Sequence, residues 1–364
     1  MSPARVNGPV LPLSLPQRAV GYVPLAGKFF WVPAGCYADI HELADASAGE
    51  IAVRELPGEH LEACFVAHLN PGKIVGDCLL VASSANDVVG GLQALHGAAQ
   101  PCAHWVLRHC RYRREIAFPG TSALLAAASG ANYFHWLLES LPRLRLIEKA
   151  GFALNEIDRF FINEAQHPFH AQTFEALGMP AAKLVNGRKD RVFRCEHLLA
   201  PSLPADPMVF PSWALSFLRE RFLPLAKQVR VNRIFISRRY AARRRLLNES
   251  EIETRLRQAG FKTVALEELS FREQVSLFAS ASIIVATHGA GLGNLVFTPP
   301  GAKVLELVSP TFINHCYQKL AGAMQLPYVE VVGSLTKQPR KRAEEDDFVI
   351  SATNLEDAMA RLAL

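Results

Sequence analysis

Ser282-Ile-Ile-Val-Ala-Thr-His-Gly-Ala-Gly-Leu-Gly-Asn294 sets a short apolar run directly before three glycines within five residues. Such a run, closed by a turn signal, predicts a strand, Ser282 to Ala286. The flanking sequence repeats that unit. Strand Arg233 to Ser237, helix Ser250 to Ala259 stopped by Gly260, strand Lys262 to Leu266, helix Ser270 to Ala279 and strand Lys303 to Val308 follow one another. Strands alternating with helices predict βαβ units and a parallel sheet. Thr353 to Leu364 predicts a last short helix.

Upstream, Tyr133 to Ala150 predicts a helix capped by Asn132, bent at Pro142 and stopped by Gly151. Arg159 to Asn163 predicts a strand, and His170 to Leu177 a helix ending at Gly178. Pro201, Pro204, Pro207 and Pro211 mark a linker before a helix from Ser212, read as its cap, to about Gln228. Residues 1 to 118 predict short β segments such as Lys28 to Val32 and Cys78 to Ala82, with turns at Pro57-Gly58 and Asn70-Pro-Gly72. The expected class is α/β with a β-rich N-terminal segment. The expected division is a first domain over 1–205, a linker and helix over 206–230, a Rossmann-like domain over 231–340 and a tail helix over 341–364. Two α/β halves imply a cleft, and open parallel sheets bind ligands beyond the carboxyl ends of their strands.

The chain has 364 residues, 50% of them hydrophobic and 20% charged, enough for sizeable cores and too apolar for a disordered chain. No apolar run reaches the roughly 18 residues of a membrane-spanning helix. Met1 to Pro24 carries five prolines and no continuous apolar stretch, so neither a signal peptide nor a transit helix is expected there. The expectation is a soluble, cytoplasmic protein. Seven cysteines without a Cys-x-x-Cys read as small buried hydrophobes rather than a disulfide framework or zinc cluster.

Charge is concentrated more than it is large. Net charge is +5, yet nine arginines fall between Arg230 and Arg257. That concentration favours a phosphate-bearing partner. A second cluster, Arg108, Arg111, Arg113 and Arg114, reads equally well as a solvated helical face.

Three places carry chemistry. In Thr287 to Asn294 the glycines let the backbone turn tightly and present amides to an anion, chiefly Gly289, Ala290 and Gly291. Asn294 stands where the dinucleotide fingerprint needs its third glycine, which weakens a nicotinamide reading; a glycine-rich structural turn stays open. His288 ends the strand and faces the expected cleft. Ser237-Arg-Arg239 also follows a strand, and Arg238 and Arg239, with the positive wall of Arg243 to Arg245, suit a diphosphate. No aromatic-interleaved basic platform is visible, so nucleic acid is not an expected partner. His135, Glu139 and Arg143 recur at i, i+4, i+8 and so share one helix face. A carboxylate held by a histidine suits a general base for a hydroxyl; a surface ion pair is the plainer alternative.

Asn132-Tyr-Phe-His-Trp-Leu-Leu-Glu-Ser-Leu-Pro-Arg143, Ile236-Ser-Arg-Arg239, Asn248-Glu249, Phe271-Arg-Glu-Gln274, His288-Gly-Ala-Gly-Leu-Gly-Asn294, Pro300-Gly301 and Glu306 together resemble glycosyltransferase family 61. The match runs in order over roughly residues 120 to 330 and departs at Gly293, where relatives often carry threonine. Bacterial members are often labelled capsular polysaccharide biosynthesis proteins.

The resemblance implies a GT-B fold of two Rossmann-like domains, the second, 231–340, binding the nucleotide sugar. It implies inverting transfer from a nucleotide sugar, usually a UDP-sugar, to a hydroxyl of a glycan or lipid-linked glycan. No essential metal or other cofactor is implied, in keeping with the lack of any Asp-x-Asp. Glu139 would be the base, oriented by His135, with His288 the second choice. Arg238, Arg239, Arg243 and the amides of Gly289, Ala290 and Gly291 would hold the diphosphate. Ser237 and Asn294 would add hydrogen bonds, and Glu306 would hold the ribose or serve structure. A capsule-type role implies peripheral contact with the inner membrane face; oligomeric state is open. A NAD-dependent oxidoreductase and a non-catalytic sugar- or nucleic-acid-binding module are the alternatives.

Overall fold

The computed structural model describes residues 20–24, 30–32, 51–55, 64–77, 80–83, 87–89, 115–163, 167–188, 191–205, 208–339, 342 and 345–363. Lys28, Pro57-Gly58, Cys78 and the Arg108 to Arg114 cluster lie outside them, as do Cys36, Cys102 and Cys110. The chain divides into two compact units, Met1–Pro207 and Met208–Leu364. Among the described residues no helix is long and apolar enough to cross a membrane.

The first unit is built on one large mixed sheet. Its strands are β1 Val20–Pro24, β2 Phe30–Val32, β3 Ile51–Glu55, β4 Phe65–Leu69, β5 Gly72–Val75, β6 Leu80–Ser83, β7 Asp87–Val89, β8 Ile116–Leu124, β9 Arg159–Ile162, β10 Leu184–Asn186 and β11 Val192–Pro201. The order is β10-β9-β8-β11-β5-β6-β7-β1-β2, with β4 and β3 branching from β11. Only β10, β9, β8 and β11 run parallel; the rest pair antiparallel. This unit is therefore less Rossmann-like than expected. The reason lies in β11, which is long enough to pair Val192–Cys195 with β5 and Leu198–Pro201 with β4. That joins the β-rich segment and the α/β part, and β8 crosses the boundary expected near residue 118. Phe65, Leu69, Ile74, Leu124, Phe161, Phe193 and Leu198 form its core.

Between β8 and β9 the expected single helix is three pieces: α1 Tyr133–His135, a π-helical turn Trp136–Ser140, and α2 Arg143–Lys149. Asn132 caps the start as expected, its side chain accepting from Phe134 N–H at 2.9 Å. Pro142 has no N–H to donate, and the wider turn before it is closed by Leu141 N–H to Trp136 O. Gly151, at φ +90°, ends α2, and Gly178, at φ +76°, ends α3 Pro168–Ala176.

The second unit has α4 Ser212–Phe222, β12 Arg233–Ser237, α5 Glu249–Gln258, β13 Lys262–Ala265, α6 Phe271–Ser280, β14 Ile283–Thr287, β15 Lys303–Val308, α7 Cys316–Ala323, β16 Tyr328–Val332 and α8 Ala352–Arg361. Its sheet is parallel throughout, in the order β13-β12-β14-β15-β16. The expected βαβ units are present within a residue or two. Ser212 is the first helical residue rather than the cap, and Pro224 closes α4 early, near Phe222, leaving a 3-10 turn in place of its predicted last turns. Phe348, Ile350 and Leu355, in the segment read as a tail, pack into the same core as Phe235, Val285 and Leu305.

Candidate functional site

The strand order of the second unit reverses at β12. From β12 the chain goes to β13 on one side, then returns to place β14 on the other. The carboxyl ends of β12 and β14 thus flank a topological switch point, where open α/β sheets bind ligands. Two of the motifs meet there: Arg238 follows β12 and His288-Gly289 follows β14.

Arg238 packs onto the glycine turn so closely that a Cβ at Gly289 would lie 1.8 Å from its Nη1. Its Nη2 donates to the carbonyl of Arg243 at 3.2 Å, and its buried Nε has no hydrogen-bond partner. Burial, and then the charge of Arg244, push Arg238 below the ordinary arginine value, with Glu267 and Glu249 opposing. Arg244 rests its guanidinium 4.5 Å from the centre of the Phe312 ring, from a backbone at φ +52°. Two cations held near each other beside backbone amide donors make a site that an anion relieves. Those donors belong to Ala290 and Gly291, half-buried residues that open the 3-10 turn Ala290–Phe297 ahead of its bond from Leu292 N–H to Gly289 O. Tyr317 on α7 donates its hydroxyl to the Gly289 carbonyl at 2.6 Å and fixes the loop from beneath. Burial, first, raises the Tyr317 phenol well above its usual range, so it stays a donor.

The other expected ligand residues have different tasks. Ser237 is buried, and its hydroxyl donates to Glu249 while accepting from Arg239 Nε at 3.0 Å. Glu249 also accepts from the Arg238 amide, so its carboxylate clamps the end of β12. Arg239 is exposed and folded back on Ser237. Arg243 pairs outward with Glu345 at 3.4 Å and gives the site only its carbonyl. Asn294 is fully buried; its amide donates to Gln274 at 3.0 Å and to Gly291 O at 3.1 Å, tying the turn to α6. Glu306 is 0% exposed, with one oxygen 2.6 Å from His288 Nδ1 and the other accepting from Tyr328. Both oxygens are thus engaged inside the protein, the arrangement that the structural alternative for Glu306 describes. A strand-end position does not fix whether a side chain meets solvent or the neighbouring strand.

His288 is 5% exposed and wedged edge-on between Phe312 and Tyr317, its backbone still paired to Leu307.

In the first unit, His135 Nδ1 lies 2.9 Å from Glu139 Oε1, and both side chains are partly accessible. Trp136 anchors this turn, donating to Thr173 Oγ1 at 2.9 Å, with its ring edge-on to His170. Arg143 does not share their face. The π turn and Pro142 shift its phase inward, where it is fully buried and donates to the carbonyls of Ala126 and Pro201. Burial pushes Arg143 down to about 9, against the favourable charge of Glu139.

Arg244, Phe312, Tyr317 and Tyr328 are the site residues that the sequence reading did not single out. Arg244 was present only as one of three consecutive arginines, with Arg243 preferred. The other three lie between 309 and 330, a stretch without glycine motif or clear periodicity.

Comparison with known proteins points the same way. Residues 133–305 match the family described as Glycosyltransferase 61. A β-1,2-xylosyltransferase XAX1 of Oryza sativa subsp. japonica is 35% identical over 124 residues, 32% of this chain and 22% of its own. The protein O-linked-mannose β-1,4-N-acetylglucosaminyltransferase 2 of Takifugu rubripes is 45% identical over 115 residues, 29% of this chain and 18% of its own. The EGF domain-specific O-linked N-acetylglucosamine transferase of Drosophila melanogaster is 31% identical over 122 residues, 33% and 23% of the two chains. The chain thus spans under a quarter of the length of these relatives. The resemblance read from the motifs is matched over residues 133–305, a little under half of the chain.

Proposed function

We propose that this protein transfers a sugar from a nucleotide sugar to a hydroxyl group of a glycan acceptor. The observation that carries the reading is the pairing of Arg238 with the glycine turn at the switch point of the second unit, inside the segment that matches the family. In the reaction the bond from the anomeric carbon to the diphosphate oxygen breaks, and the acceptor oxygen bonds to that carbon. The diphosphate leaves with the electron pair. Arg238, Arg244 and the amides of Ala290 and Gly291 supply fixed positive charge and donors where that negative charge grows, which is the largest catalytic term for such a step. The acceptor proton needs a base, and Glu139, partly accessible and with His135 Nδ1 2.9 Å away, suits it.

The finer parts of the proposal rest on the resemblance. These are the UDP moiety, inversion at the anomeric carbon, a GT-B arrangement and independence from metal. A role in surface or capsular polysaccharide synthesis, on the cytoplasmic side of a membrane, belongs with them. The xylosyl and N-acetylglucosaminyl relatives suggest UDP-xylose and UDP-N-acetylglucosamine as the first donors to try.

Calorimetric titration without added metal against UDP, GDP, CMP and NAD tests the donor half. UDP is expected to bind in preference; preferential binding of NAD would overturn the reading. Glu139→Gln is expected to keep nucleotide affinity within about threefold while transfer falls about 10²-fold or more. Undiminished transfer by that variant removes Glu139 from the role of base.

A further inference from the structure

Glu306 is the one fully buried carboxylate in the described core of the second unit, and the mechanism above makes no use of it. Its surroundings are specific. It lies on β15, level with Ala286 of β14, two residues before His288. One of its oxygens meets His288 Nδ1 at 2.6 Å, and the other takes the Tyr328 hydroxyl from β16. Burial, then the charge of Glu306, raise the Tyr328 phenol, so Tyr328 donates and does not ionise. A carboxylate already satisfied on one side, facing an imidazole nitrogen at that distance, requires a hydrogen on Nδ1. An isolated buried carboxylate is expensive, and the imidazole N–H is what makes this one tolerable.

The consequence falls on the other ring nitrogen. With Nδ1 held by Glu306 and the ring clamped by Phe312 and Tyr317, the orientation of Nε2 is fixed by packing and hydrogen bonding together. His288 directly precedes Gly289, against which Arg238 packs.

The geometry points to Glu306 as a positioning residue for the transfer step. It keeps the proton on Nδ1 of His288 and so leaves the Nε2 lone pair as a fixed acceptor for a hydrogen bond from a hydroxyl of the bound sugar donor. This makes His288 part of the donor site. The inference rests on the transferase reading and deepens it.

Donor hydrolysis gives a test that needs no acceptor. Water replaces the acceptor hydroxyl, the bond from the anomeric carbon to the diphosphate breaks, and UDP leaves with the electron pair. UDP release is followed with UDP-xylose and UDP-N-acetylglucosamine for Glu306→Gln, His288→Asn and the double variant, beside UDP affinity by calorimetry. A positioning role acting through His288 predicts that Glu306→Gln lowers turnover about 10²-fold with UDP affinity within about threefold. It also predicts that Glu306→Gln adds nothing once His288 is Asn. Additive losses in the double variant, or a Glu306→Gln protein that turns over normally, would overturn the proposal.

Should Glu306→Gln fold poorly, Tyr328→Phe removes one hydrogen bond to the same carboxylate while keeping the ring. It is expected to lower turnover about threefold to tenfold, again with no further effect in the His288→Asn background. A loss that persists in that background counts against the proposal. The ring nitrogens of His288, read by nitrogen-15 NMR in histidine-labelled protein, give an arm that survives failure of the transferase reading. Nδ1 is expected to be protonated in the unmodified protein and to lose that preference in Glu306→Gln. A bare Nδ1 in the unmodified protein sinks the inference, whereas absence of UDP binding or turnover with a protonated Nδ1 sinks the transferase reading alone.

Discussion

At Gly289 a missing side chain does the work. Its φ is 179°, an extended conformation open to any residue, so backbone strain does not demand glycine there. The demand is space: the Arg238 guanidinium occupies the volume of a Cβ. Because the obstructed atom is the far end of a flexible side chain, Gly289→Ala is expected to displace Arg238 and leave the fold intact. UDP affinity should fall tenfold or more, about 1.4 kcal/mol, while the denaturation midpoint stays within the equivalent of about 0.5 kcal/mol. A variant that binds UDP normally would show that Arg238 is not a phosphate ligand. The residue scale is also where sequence reading stopped short. His288, Arg238 and the amides after Gly289 could be found from residue type and position after a strand. Which of Arg243, Arg244 and Arg245 turns inward could not, because that is decided by one left-handed residue and a phenylalanine almost seventy positions later.

The segment Asn132 to Lys149 shows at the level of elements why periodicity misleads when the helix is not uniform. Spacing of i, i+4, i+8 aligned His135, Glu139 and Arg143 on one face, and the first pair holds. A π turn and a proline intervene before Arg143, and it becomes a strut between the loop after β8 and the end of β11. The sequence announced a bend at Pro142 but not the direction in which the next residue would point. Arg143→Met keeps the length of the side chain and removes both donors. The carbonyls of Ala126 and Pro201 are then buried without these partners, at about 1–3 kcal/mol each. Relief from burying a guanidinium offsets part of this. The expected result is a loss of about 2–4 kcal/mol in the unfolding transition of the first unit, measured in urea, with UDP affinity unchanged. Loss of UDP binding without destabilisation would return Arg143 to the functional site.

For the whole molecule, legibility differed between the units for a physical reason. In the second, every strand of a parallel sheet is separated from the next by a crossover, so apolar runs, caps and stop glycines come at regular intervals and can be read locally. Even there, α7 and β16 escaped, since Cys316 to Val332 mixes polar groups into its strand. In the first, β11 serves as partner to β8, β4 and β5 at once, pairing residues 76 to 135 positions apart, which no local pattern encodes.

That division of labour makes a prediction about the nucleotide. All groups assigned to the diphosphate lie between Arg238 and Leu292, in the second unit, whereas Glu139 and His135 belong to the first. Hydrogen exchange followed by mass spectrometry with and without saturating UDP should therefore slow amides after β12 and over 288–295. It should leave the π turn at Trp136–Ser140 unprotected. At a UDP concentration about 100 times Kd, linkage adds about 2.7 kcal/mol to whatever opening exposes the site, enough to slow exchange there about 100-fold. Protection centred on 133–149 instead would move the nucleotide to the first unit and leave Arg238 and the glycine turn without their proposed ligand.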